Sequence, residues 1–194
     1  MSRVLIMEKA SLQLIVGLGN PTSIYKETRH NIGFMTLDRL ASTKGLCFKR
    51  NVCDGAAIAQ GTSGQIFMKP LTYMNYSGYP VVAFLHSHKI SPEHTLIILD
   101  DCTIPLGKLR IRKNGSSGGH HGLASVLCCL STEEIPRLRI GIGSVRLGAR
   151  LTEYVLSVFQ KEEIPIVHQS IARACKAIDM LARLKIDTVM NQFN

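Results

Sequence analysis

The side chains in this sequence best suited to chemistry are His30, Asp100, Asn20 and Asn75. Imidazole is the natural general base near neutral pH, because free histidine titrates at about 6.5. A carboxylate on its second nitrogen fixes the tautomer and raises its basicity. Primary amides donate hydrogen bonds to a carbonyl or to the oxyanion that replaces it. Such a set activates a water and holds an oxyanion. Each group falls in a polar cluster: Asn20 with Tyr25 and His30, then Met74-Asn75, then Asp100, then His120. Taken singly, each has a local reading: Asn20 a turn residue, Asn75 a helix cap, Asp100 an acid at a strand end. Taken together, they are separated by strands or helices, a spacing that can bring them to one rim of a sheet.

The elements that must position these groups alternate in type. Residues 14–18 are an apolar run stopped by glycine, read as a buried strand. Asn31 reads as the cap of a helix over 32–43, with Phe34, Leu37, Leu40 and Ala41 on one face. Residues 56–60 and 65–68 flank Gly61-Thr62-Ser63-Gly64, a hairpin signal. A helix follows from Asn75 or Ser77 to His88, with Pro80 in its first turn. Residues 95–99 form a second buried strand ending at Asp100-Asp101. Residues 108–112 alternate cation and aliphatic, residues 118–122 lead into a helix through Leu130, and residues 138–142 are a further strand. Val167, Ile171, Ala174, Ile178 and Leu181 make one face of a long helix over about 162–184. The class is therefore α/β, a single domain with a mixed twisted sheet flanked by helices.

Composition narrows the function. The chain has 194 residues, 45% hydrophobic and 19% charged, enough for one well-filled core. Lys and Arg number 23 against 14 acids, a net charge of +9 that suits an anionic partner such as nucleic acid. The strand Lys108-Leu-Arg110-Ile-Arg112 puts three cations on one face, and arginine forks suit phosphate. Arg137, Arg139, Arg146 and Arg150 follow. No apolar run is long enough to span a membrane, and residues 1–13 are broken by Glu8 and Lys9, too short for a signal-peptide core. The six cysteines make no C-x-x-C pair, which excludes the zinc-ribbon and thioredoxin patterns and fits a reducing cytoplasm.

Three motifs lose their first appeal. Gly17-Leu-Gly19 lacks the third glycine of a dinucleotide loop, since Thr22 stands there after Pro21. Gly115-Ser-Ser117-Gly-Gly119 fits a serine-hydrolase elbow, but no acid and histidine follow it in the required order. His86 and His88 are two apart on a helix and do not face each other. No metal constellation is visible.

Six stretches in order resemble bacterial-type peptidyl-tRNA hydrolase: LIVGLGNP, YKETRHNIGF, MKPLTYMNYSG, LDDCTIPLGKLRIR, GGHHGL and RLRIGIG. They run from Leu14 to Gly143, and the final helix continues the match. The resemblance implies an enzyme that cleaves the ester between a peptide and the terminal ribose of tRNA. On the matching positions it implies His30 as the base, Asp100 as its support, and Asn20 and Asn75 as positioning amides. It implies a substrate cleft with Tyr25, Met74, His120 and His121, and tRNA contacts at Lys108, Arg110, Arg112 and Arg139. It further implies a cytoplasmic monomer with no metal or cofactor. The chain departs from the family in three places: His121 stands where the family has Asn, Thr22 where it has Gly, and the lid loop after Gly143 lacks its Arg-Pro pattern. The domain is expected over 13–194 with 1–12 as an extension, and Met7 is a second possible start. A non-catalytic RNA-binding protein of the splicing-factor kind on the same scaffold is the alternative, and the intact His30, Asp100, Asn20 and Asn75 set speaks for the enzyme.

Overall fold

The computed structural model describes residues 12–53, 55–62, 64–144 and 150–194. The extension up to Ser11, and Arg146 with most of the expected lid loop, lie outside the described residues. Among the described residues, seven strands form one sheet: β1 (Leu14–Gly17), β2 (Lys49–Asn51), β3 (Ala56–Gln60), β4 (Ile66–Pro70), β5 (Thr95–Asp101), β6 (Leu109–Arg112) and β7 (Arg137–Gly141). The same residues form six α-helices: α1 (Ile32–Lys44), α2 (Gly78–His88), α3 (His121–Leu130), α4 (Leu151–Val155), α5 (Ile164–Leu181) and α6 (Ile186–Phe193). No helix among the described residues is long and apolar enough to cross a membrane.

The strand order is β2-β3-β4-β1-β5-β7-β6. β1 runs parallel to both neighbours, β4 and β5, and β5 runs parallel to β7. The outer pairs are antiparallel. A strand in the middle of such a sheet is buried on both faces, so β1 reads as continuous apolar sequence rather than alternating. Its side chains still divide by period two. Ile15 joins Leu37, Phe67, Ile98 and Ile178 in a core beneath α1 and α5. Leu14 and Val16 join Met68, Phe84, Leu123 and Val126 in a second core beneath α2 and α3. Helices on both faces give a three-layer sandwich.

The expected elements are present with end shifts of a few residues. The structure adds β2, α4 and α6. α1 lies unusually close to the sheet. A Cβ added at Gly33 would come within 2.5 Å of Leu18 O and 2.6 Å of Ile98 O, and one at Gly17 within 2.5 Å of Gly33 O. Glycine at both positions lets the helix start press onto the ends of β1 and β5.

Candidate active site

The carboxyl ends of β1, β4 and β5 open on a cavity of about 500 Å³. This is where a mostly parallel sheet leaves a crevice, because the chain departs to opposite faces from adjacent strands. The cavity is lined by Asn20, His30, Met74, Asn75, Asp100, His120, His121 and Arg139, among others. Leu151, Thr152 and Val155 of α4, with Leu156 just past its end, form one wall.

His30 is carried on a 3-10 turn, Arg29–Asn31, that runs directly into α1. Its Nδ1 lies 2.8 Å from Asp100 Oδ1, and both groups are buried. Nε2 is then the nitrogen left for the cavity. His120 places its Nε2 3.0 Å from the same Asp100 oxygen. The other nitrogen of His120 is also engaged: Leu123 N–H donates to Nδ1 at 3.1 Å, capping α3. That donor settles the tautomer. Nδ1 must hold a lone pair, so the ring proton sits on Nε2 and points at Asp100. Burial alone would push the Asp100 carboxyl up. The attraction of His120 and His30 and their hydrogen bonds outweigh it and hold the carboxyl well below the usual carboxylate range. Ligand-type atoms of His30, Asp100 and His120 lie within 4.8 Å of one another. A metal ion there would need the lone pair of His120 Nε2, which the Leu123 hydrogen bond converts into a donor. The arrangement suits proton handling better than metal ligation.

Asn20 is fixed from both sides. Its backbone N–H donates to Asn31 Oδ1 at 2.8 Å, and Asn31 Nδ2 donates to its backbone carbonyl at 2.9 Å. Asn31 was expected to cap α1. It makes no cap bond, because its amide is spent pairing with Asn20 as a strand neighbour would. The Asn20 side-chain oxygen accepts from Met74 N–H at 2.9 Å. This leaves its Nδ2 as a donor without a partner among the described residues. Asn75 and His121 are exposed on the cavity lining. Tyr25 does not line the cavity; its backbone carbonyl closes the bend by accepting from Thr28.

The expected cationic surface divides into three kinds of group. Lys108, Arg110 and Arg112 are exposed, with Leu109 and Ile111 buried between them. Arg139 lies across from Arg110 and places Nε 2.7 Å from Asp101 Oδ2, so its charge is already partnered at the cavity edge. Arg137 is 2% exposed and donates to the carbonyls of Gly115, Glu133 and Ile135. It holds the glycine-rich loop and is no part of a binding surface. Ser117 and its neighbours Gly118 and Gly119, in that loop, line the cavity.

One residue of the site region went unread in the sequence. Arg29, beside His30, is buried and forms a two-pronged pair with Glu163. It also donates to Ile142 O at 3.0 Å and lies over the rings of Tyr154 and Phe159, at 4.4 and 4.7 Å. Its backbone N–H donates to Ser157 O at 2.9 Å. The turn bearing His30 is thus fastened to the segment that forms the helical wall. The signal available was an arginine between Thr28 and His30, with nothing in the sequence to say that it turns inward.

A peptidyl-tRNA hydrolase from Alkaliphilus oremlandii is 40% identical over 186 residues, which cover 94% of this chain and 100% of the relative. One from Bacillus cereus is 42% identical over 185 residues with the same coverage. The crystal structure of peptidyl-tRNA hydrolase from Acinetobacter baumannii superposes with a TM-score of 0.90 at 34% identity, covering 96% of this chain and 95% of that one. The family model described as peptidyl-tRNA hydrolase matches residues 14–194, and the chain belongs to that family.

Proposed function

We propose that this chain hydrolyses the ester joining a peptide to the terminal ribose of tRNA, with His30 as general base. Water bound beside His30 Nε2 gives up a proton as its oxygen attacks the ester carbonyl. Asp100 steadies the imidazolium that forms, and His120 holds Asp100 in place. The free Nδ2 of Asn20 and the amide of Asn75 orient the water and the carbonyl and support the oxyanion. Collapse of the tetrahedral species breaks the bond to the ribose oxygen, which takes the proton back from His30. Met74 and His121 border the bound ester. Lys108, Arg110 and Arg112 hold tRNA phosphates, with Arg139 nearer the cavity.

The observation that carries this reading is the hydrogen-bonded set of His30, Asp100 and His120 opening on a cavity that Asn20 and Asn75 share. Family membership supports the substrate, and nothing supports the non-catalytic RNA-binding alternative. A cytoplasmic, monomeric protein working without metal is part of the same reading, and six free cysteines suit that compartment. The test is to incubate N-acylated aminoacyl-tRNA with the protein and with His30→Ala. Release should fall by about a thousandfold in the variant, with tRNA still bound. Equal release by both would remove His30 from its role. If neither releases the acyl group while both bind tRNA, the enzyme reading fails.

A further inference from the structure

Three of the chain's five tyrosines, Tyr73, Tyr76 and Tyr79, recur at every third residue. Tyr73 lines the cavity. Tyr76 ends the 3-10 turn Met74–Tyr76, and its N–H donates to Tyr73 O at 2.8 Å. Tyr73 is the extended residue just before that turn, so the chain passes directly from the cavity lining to Tyr76. Ser77 continues in helical geometry into α2, so Tyr79 falls on the same side as Tyr76. The three are 56%, 51% and 65% exposed, although large aromatic rings usually find cover. The rings of Tyr76 and Tyr79 stack at 6.2 Å with an interplanar angle of 30°. The opposite side of α2 is accounted for by the core, where Val81, Phe84 and Leu85 are buried. The tyrosine side is left open.

We propose that Tyr76 and Tyr79 form a stacking surface for the unpaired 3′-terminal nucleotides of the RNA substrate, leading from solvent to the cavity mouth at Tyr73. The inference rests on the proposed hydrolysis of peptidyl-tRNA and adds where the RNA end runs. The strip is continuous with the cavity, so whatever crosses it is joined to the reacting ester. Two things leave that ester, a peptide and an RNA end. Peptides differ from substrate to substrate and need not carry a ring. The terminal bases are present in every substrate, and any base offers a flat face, which makes aromatic stacking tolerant of sequence. Charge agrees: residues 71–88 hold no acid, and neither does α3, which packs against both the 3-10 turn and α2. A polyanion meets no repulsion there.

The test compares wild type with the double variant Tyr76→Leu/Tyr79→Leu and with Tyr76→Phe/Tyr79→Phe. Three substrates carry the same N-acetyl-aminoacyl ester, on full tRNA, on a single-stranded 3′ tetranucleotide, and on adenosine alone. The leucine variant should raise KM about tenfold on the first two, with kcat and the adenosine ester unchanged. The phenylalanine variant should restore wild-type KM. Binding of a dye-labelled tetranucleotide without an ester, followed by fluorescence anisotropy, should weaken by the same factor in the leucine variant. An unchanged KM on all three substrates overturns the platform. So does a KM that rises on the adenosine ester as the peptide lengthens, which would assign the strip to the peptide. Hydrolysis of none of the substrates by wild type sinks the enzyme reading, while the fluorescence titration still scores the platform alone.

Discussion

His120 influences the site without offering it a free nitrogen. One nitrogen is claimed by Leu123 N–H and the other by Asp100. Its two jobs are separable. His120→Ala removes both the cap of α3 and the second donor to Asp100, whereas His120→Asn keeps a good capping side chain but is too short to reach Asp100. We expect kcat to fall about tenfold in both variants, with KM little changed. The melting midpoint should drop only in the alanine variant, by the equivalent of about 1 kcal/mol. Equal stability loss in both would mean that the cap is not what His120 contributes. The residue types of this site were legible in the sequence, because a base, an acid and amides at strand ends have few other uses together. The pairing of atoms was not. Asn31 looked like a cap and instead binds Asn20, and Arg137 looked like a surface cation and is buried under a loop. In each case the partner is a backbone group whose direction depends on how distant segments fold.

At the level of elements, legibility followed length and amphipathicity. β1, β5 and α5 carry long apolar patterns and were read within a few residues. β2 is three exposed residues and α4 only five, too short for any period to show. α6 is different: Ile186, Val189, Met190 and Phe193 recur at helical spacing, but over only eight residues that follow directly on a longer helix. The short α4 keeps its place through Arg29 and Glu163. Glu163 is held below the usual carboxylate range, burial raising it and the Arg29 hydrogen bonds lowering it further than burial raises it. A carboxylate so depressed stabilises the fold fully above its unfolded value of about 4.3, and that stability is lost as pH falls through the lower folded value. Glu163→Gln strands a buried guanidinium and should cost roughly 3 kcal/mol at pH 7. It should also flatten the acid limb of the stability profile below about pH 4. Urea midpoints at pH 7 and at pH 3.5 check both statements. An unchanged midpoint at pH 7 would show the pair to be dispensable.

For the whole molecule, the count of 23 Lys and Arg overstates what a polyanion can use. Arg29 and Arg137 are committed within the protein, and Arg139 shares its charge with Asp101 at the cavity edge. The exposed cations of β6 remain, on an edge strand whose backbone at Ile111 is covered by the Asn194 side chain. Replacing Arg110 and Arg112 together with serine should raise KM for tRNA and reduce the slope of log KM against log salt by about 1.5. Measuring KM across a salt series decides it, and an unaltered slope would move the phosphate contacts elsewhere. Net charge was readable from the sequence, but its distribution waited on the fold. The close seating of α1 on β1 and β5 carries a last consequence, and it concerns mutation. At the rim, a tyrosine can be exchanged for another side chain with nothing displaced but water. At Gly17 and Gly33 the obstacle to a methyl group is main chain on an adjoining element, which cannot rotate aside. The positions that tolerate least change in this molecule therefore include two that bear no functional group at all.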